Sequence, residues 1–150
     1  MELNDELLPT GTLLDVDETP FDFRTGRLIQ TGVTSSHPRN QLVGNGYDHP
    51  FLLKTNHDAE IVLSDPESGR TLTVETDEAG VAVYSGNSLG EKGEVRGIQL
   101  KKHLGICLET QCLPDAVHHS DFPSVILNEG EEYSTVTKYR FGVSLKSFSI

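Results

Sequence analysis

The chain has 150 residues, and 12 Lys+Arg against 23 Asp+Glu give it a formal net charge of −11. That length fits one domain, and that charge repels phosphate backbones and anionic lipid surfaces, so expectation turns from nucleic acid and membranes toward a neutral small molecule. No apolar run approaches a bilayer span, the start MELNDELLPTG lacks the basic and apolar regions of a secretory signal, and two cysteines are too few for a disulfide framework, so the chain reads as soluble and cytoplasmic.

In chain order, the first marked segment is Gly44-Asn-Gly-Tyr-Asp-His-Pro50, dense in turn formers, which reads as a tight turn whose Asp48 bonds nearby backbone amides. Ala59–Ser64 and Arg70–Thr76 follow as short β-rich runs. In the second, Leu72 and Val74 alternate with Thr71, Thr73 and Glu75, and Asp65-Pro-Glu-Ser-Gly69 between the runs places Pro and Gly where a hairpin turn needs them. Ile106–Gln111 reads as a strand with Ile106, Leu108 and Thr110 on one face and Cys107, Glu109 and Gln111 on the other. The longest predicted strand, Tyr133 to Leu145, sets Tyr133, Tyr139, Phe141, Val143 and Leu145 against Ser134, Lys138, Arg140 and Ser144. Turn residues interrupt the chain throughout, and no apolar pattern of helical period is long enough for a stable helix. The class is all-β, with a sandwich as the expected architecture.

The richest chemistry lies in CLETQCLPDAVHHSDFPS, residues 107–124. Glu109 is either a solvated strand carboxylate or a base in a polar cleft. Cys107 and Cys112, five positions apart, fall on opposite faces of a continuous strand, which disfavours a shared metal or bridge and favours two small buried thiols. Asp115, His118, His119 and Asp121 offer nitrogen and oxygen ligands, but adjacent histidines diverge in extended chain and no zinc spacing is present, so a polar loop bracketed by Pro114 and Pro123 is preferred. A phosphate-binding glycine loop and a Gly-x-Ser-x-Gly elbow are both absent from the sequence.

An ordered set of motifs resembles the C-terminal half of the aldose 1-epimerase (galactose mutarotase) family almost from end to end. The motifs are Leu8-Pro-Thr-Gly11, Thr19-Pro-Phe-Asp-Phe-Arg24, Gly46-Tyr-Asp-His49, Asp65-Pro-Glu-Ser-Gly-Arg70, Val83-Tyr-Ser-Gly-Asn87, Gly105-Ile-Cys-Leu-Glu-Thr-Gln111, Pro114-Asp115 and Phe122-Pro-Ser124. The resemblance implies that residues 1–150 are the C-terminal portion of one large antiparallel β-sandwich, the galactose mutarotase-like supersandwich, whose N-terminal half is missing here. It implies an isomerase that interconverts α and β anomers of aldohexoses such as galactose and glucose without metal or organic cofactor. In that reading Glu109 is the general base and Asp48 binds sugar hydroxyls, with the cysteines and His118 and His119 as framework. Family members place a histidine acid, a second active-site histidine and a sugar-binding arginine in the missing half, and none of His37, His49, His57, His103, His118 or His119 lies in a segment resembling those N-terminal motifs. Many members also carry a sugar-contacting glutamine where this chain has Ala82. Expectations follow: little or no turnover by these residues alone, and open sheet edges that pair with the missing half or with another copy. A non-catalytic sugar-binding or regulatory module is the alternative, with a relative acting on phosphorylated hexoses ranked below it.

Overall fold

The computed structural model describes residues 1–53, 61–90 and 92–144. Alternating sequence becomes two three-stranded antiparallel sheets. The first consists of β1 (Asp48–Leu52), β4 (Gly80–Tyr84) and β7 (Cys107–Gln111), the second of β2 (Ile61–Ser64), β3 (Arg70–Thr76) and β8 (Thr137–Val143). Their orders are β1-β4-β7 and β2-β3-β8, and a short ribbon joins β5 (Glu94–Val95) to β6 (Ile98–Gln99). Among the described residues, helix is confined to the single turns α1 (Gln30–Val33) and α2 (Pro38–Leu42) and a 3₁₀ turn at Ala116–His118. Among the described residues no helix is long and apolar enough to cross a membrane.

The hairpin predicted around Asp65–Gly69 forms as β2 and β3, described from Ile61 onward; Ala59 and Glu60 lie outside the described residues. Its turn closes through Asp65 N–H to Arg70 C=O at 2.9 Å and Gly69 N–H to Asp65 C=O at 2.8 Å. The Asp65 carboxylate accepts from the amides of Glu67 and Ser68, and Gly69 takes φ +75°, the left-handed conformation a glycine tolerates best.

The predicted strand from Tyr133 is shorter than the pattern suggested, beginning only at Thr137. Its partner β3 ends at Thr76, opposite Thr137, so upstream residues have no ladder to join. They are held instead by polar contacts, Tyr133 Oη to Glu78 Oε1 and Asp77 N–H to Val136 C=O at 3.1 Å. The aromatic face read from the alternation is also not a buried one, since Phe141 is 81% and Val143 69% exposed. Leu145 lies outside the described residues.

The main core lies under the first sheet. Phe21, Tyr47, Val81 and Val83 form its buried centre, flanked by Phe23, Phe51, Leu108 and others. Tyr47 has no exposed surface, meets the Phe21 ring edge-on at 5.6 Å between centroids, and donates its hydroxyl to the Pro20 carbonyl at 2.7 Å. A smaller cluster of Leu113, Ala116 and Phe122 lies under the loop after β7. Gly32 in α1 is required by the Tyr47 ring, because a Cβ there would fall 2.2 Å from ring carbon Cζ. Gly32→Ala is therefore expected to destabilise the chain by about 1–3 kcal/mol, read as a lower urea midpoint with unchanged slope.

The two sheets meet through hydroxyls. Thr137 Oγ1 lies 2.8 Å from Thr76 Oγ1 and 2.9 Å from Thr110 Oγ1, and Tyr139 donates to the Leu108 carbonyl at 3.2 Å. The reading of two buried thiols is corrected: Cys107 is exposed and Cys112 only partly buried. Cys107 lies on the open face of β7 rather than the core face, while Cys112 bends out past the strand end and donates to Glu78 Oε2 at 3.3 Å.

Candidate active site

β4 is the central strand of the first sheet and registers both candidate carboxylates. Asp48 lies opposite Tyr84, which lies opposite Cys107; one step along the same face, Pro50 lies opposite Ala82, which lies opposite Glu109. Residues directly opposite in an antiparallel pair share a face. Asp48, Ala82, Tyr84, Cys107 and Glu109 therefore stand on one side of the sheet, and His49, Phe51, Val81, Val83 and Leu108 stand on the core side. Asp48 and Glu109 are both exposed. Two strand spacings and a two-residue offset separate their backbones by roughly 12 Å, a span that two carboxylate side chains and an intervening ring can fill. Their charges interact, because the Asp48 carboxyl is raised above its ordinary value first by partial burial and then by the negative charge of Glu109. Ala82 between the strands leaves the middle of this face low.

Asp48 does not sit in the tight turn suggested by Gly44–Pro50. The turn ends at Tyr47, Asp48 opens β1, and its carboxylate takes no hydrogen bond among the described residues. What builds the turn is a buried polar network that the sequence reading missed. Asn40 Nδ2 donates to the Gly46 carbonyl at 2.7 Å, and Asn87 Nδ2 donates to the carbonyls of Val43 at 3.0 Å and Tyr47 at 2.9 Å. The Ser85 hydroxyl accepts the Tyr47 amide at 2.8 Å and donates to Asn87 Oδ1 at 2.6 Å. Asn40, Ser85 and Asn87 are each at most 2% exposed. Gly46 completes the turn at φ +123°, and a Cβ on it would fall 2.4 Å from Ser85 Oγ. The only advance signal was glycine beside asparagine and serine, which marks a turn but not its burial.

After β7, Asp115 gathers the two histidines, although the buried His119 Nε2 has no hydrogen-bond partner among the described residues. Asp115, at φ 59°, pairs with His118 Nδ1 and lies 3.5 Å from His119 Nε2. Its carboxyl is held below the usual range, chiefly by the His118 hydrogen bond. His119 packs on Phe122 with ring centroids 5.0 Å apart, and Gly11 approaches it so closely that a Cβ would meet Nδ1 at 2.6 Å. Asp121 is exposed. Among the described residues no three His, Cys, Asp or Glu side chains are grouped to hold a metal ion. The Cys112 thiol is pushed up by burial and by its Glu78 neighbour, which keeps it protonated and a poor nucleophile.

The family profile described as aldose 1-epimerase matches residues 1–140. The chain belongs to the aldose 1-epimerase family. Its relatives include the galactose mutarotase of Rattus norvegicus, 36% identical over 151 residues, and that of Homo sapiens, 37% identical over 147 residues. Each alignment covers 96% of this chain and 41% of the relative, so the chain spans about two-fifths of the length of these family members. The aldose 1-epimerase of Streptococcus thermophilus is 32% identical over 137 residues, covering 87% of this chain and 37% of that protein. Among solved structures, a GalM/aldose epimerase homologue from C. elegans superposes with a TM-score of 0.82 at 24% identity over 95% of this chain and 42% of its own. A galactose 1-epimerase from Lactobacillus acidophilus gives 0.76 at 26% identity over 95% of this chain and 41% of its own. The all-β class and the place of these strands within an aldose 1-epimerase sandwich follow from that likeness.

Proposed function

We propose that this chain carries the base and one sugar-binding carboxylate of an aldose 1-epimerase acting on aldohexoses such as galactose and glucose. The observation that carries the reading is that Glu109 and Asp48 stand on one open face of the β1-β4-β7 sheet, close enough for their charges to interact. Glu109 takes the proton from the C1 hydroxyl while an acid protonates the ring oxygen; the ring opens, the carbonyl carbon rotates, and reclosure gives the other anomer. Asp48 accepts hydrogens from sugar hydroxyls and holds C1 over Glu109. The acid comes from outside this sheet. Its one histidine, His49, lies on the core side and is neutral at physiological pH.

That same position of His49 favours a second reading, a module that binds sugar without turning it over. Polarimetry on freshly dissolved α-galactose separates the two. The assay uses the chain alone and the chain joined to the complementary portion of a family member. The first reading expects mutarotation well above buffer in the joined protein, while binding without mutarotation there supports the second. Under the first reading Asp48→Asn raises KM more than it lowers kcat. His118→Ala and His119→Ala cost far less, because those side chains are tied to Asp115, and a chelator leaves the rate unchanged.

A further inference from the structure

The polar network of the turn ends at Tyr47, and the next amide, that of Asp48, needs a separate partner. Ser85 N–H bonds the Tyr47 carbonyl at 2.9 Å, which makes Asp48 and Tyr84 a non-hydrogen-bonded pair. The Asp48 amide therefore points away from β4, toward the outer edge of β1. There it donates to Nδ1 of His49 at 3.1 Å. A neutral imidazole accepting at Nδ1 carries its proton on Nε2. The ring is 3% exposed and abuts Phe21 at 4.8 Å between centroids, so it cannot turn without displacing a core aromatic. Burial, helped by the positive charges of the N-terminal ammonium, Arg39 and His37, keeps it unprotonated.

We propose that His49 is a positioning residue for Asp48: fixed in the core beneath the sheet, it accepts the Asp48 amide at Nδ1 and so sets the backbone from which the Asp48 carboxylate reaches the face shared with Glu109. The proposal rests on the sugar-binding role assigned to Asp48. Its physical basis is the position of Asp48 as first residue of an edge strand, where an amide left to solvent allows the backbone to fray and the carboxylate to swing with it. Neighbouring residues on the core side could be any apolar group of similar size; only an acceptor at this place holds the amide.

The test uses the isotopically labelled chain. In the wild type, a two-bond coupling between the Asp48 amide nitrogen and His49 Nδ1, with Nδ1 unprotonated, is expected; a protonated Nδ1 overturns the proposal whatever the variants do. His49→Leu removes the acceptor, and His49→Asn places Oδ1 where Nδ1 was. Relative to wild type, His49→Leu is expected to speed exchange of the Asp48 amide and to weaken galactose binding, read by titration, about 5–10-fold, with His49→Asn within about twofold on both readouts. Equal exchange and affinity in His49→Leu and wild type, or equal losses in the Asn and Leu variants, refute the positioning role. Should the wild-type chain bind no galactose even when joined to the complementary portion of a family member, the sugar-site reading fails by itself, and the coupling and exchange data still decide whether His49 holds Asp48.

Discussion

Replacing Glu109 with glutamine in an active protein carrying this chain is expected to lower kcat by about 10²–10⁴-fold, the usual contribution of a positioned general base. Glutamine keeps the size and hydrogen-bonding reach of the side chain but cannot accept the C1 proton, so KM should change little and the loss should appear in kcat and kcat/KM alike. Glu109 is exposed on the open face of β7 and lies opposite Ala82, so the exchange removes no core contact, and the urea midpoint should stay near that of the wild type. Mutarotation followed by polarimetry, with galactose binding measured in parallel, checks each part. A Glu109→Gln protein that turns over at the wild-type rate, or an activity lost on His119→Ala instead, would assign the chemistry to the loop after β7.

Acid should weaken the fold well before its carboxylates are neutralised. His49 ordinarily titrates at 6.5 but is lowered to about 4 in the folded chain, mainly by burial. Above pH 6.5 both states hold it neutral, and it adds no pH dependence. As pH falls from 6.5 toward 4 the unfolded chain binds a proton that the folded chain refuses, so stability declines across that window, by about 3 kcal/mol in all. Asp48 acts in the opposite sense: its raised carboxyl is relieved as it protonates, which returns a little stability toward the acid end. The lowered carboxyls of Asp65, Glu78 and Asp115 lose their contribution only on further acidification through their folded values. Urea midpoints measured at pH 7 and pH 4 should therefore differ strongly in wild type and much less in His49→Asn, which has no group to titrate. An equal loss in both proteins would place the acid sensitivity elsewhere.

The alternation of Leu72 and Val74 with threonines, and of Leu108 with Glu109, marked β3 and β7 because a strand's period of two shows directly in its residues. The turn at Asp65–Gly69 was equally legible, since proline, glycine and a carboxylate each have a local reason to be there. Strand ends were not, because β8 stops where β3 stops, and that is a property of the partner rather than of Tyr133–Val136. The same limit explains the cysteines: parity assigns a side chain to a face, but only the assembled sheet says which face is covered. Of the proposed site, Glu109 could be placed on a strand face from its alternation, while its role and that of Asp48 could be read only from the family resemblance of the Glu109–Gln111 and Gly46–His49 motifs. Asn40, Ser85 and Asn87 could not, for burial of a polar side chain is decided by distant carbonyls such as those of Val43 and Tyr47.

Asp48 and Glu109 belong to strands that do not pair with each other; each is registered only on β4. A slip of one residue in either pairing would carry its carboxylate through the sheet, among Phe21, Tyr47 and Val83, where an unpaired charge is costly. Misaligned sheets are thus penalised by the very groups proposed to do the chemistry. A population of chains should accordingly divide into those with both carboxylates facing out together and those with no ordered first sheet, with few molecules holding a half-built site.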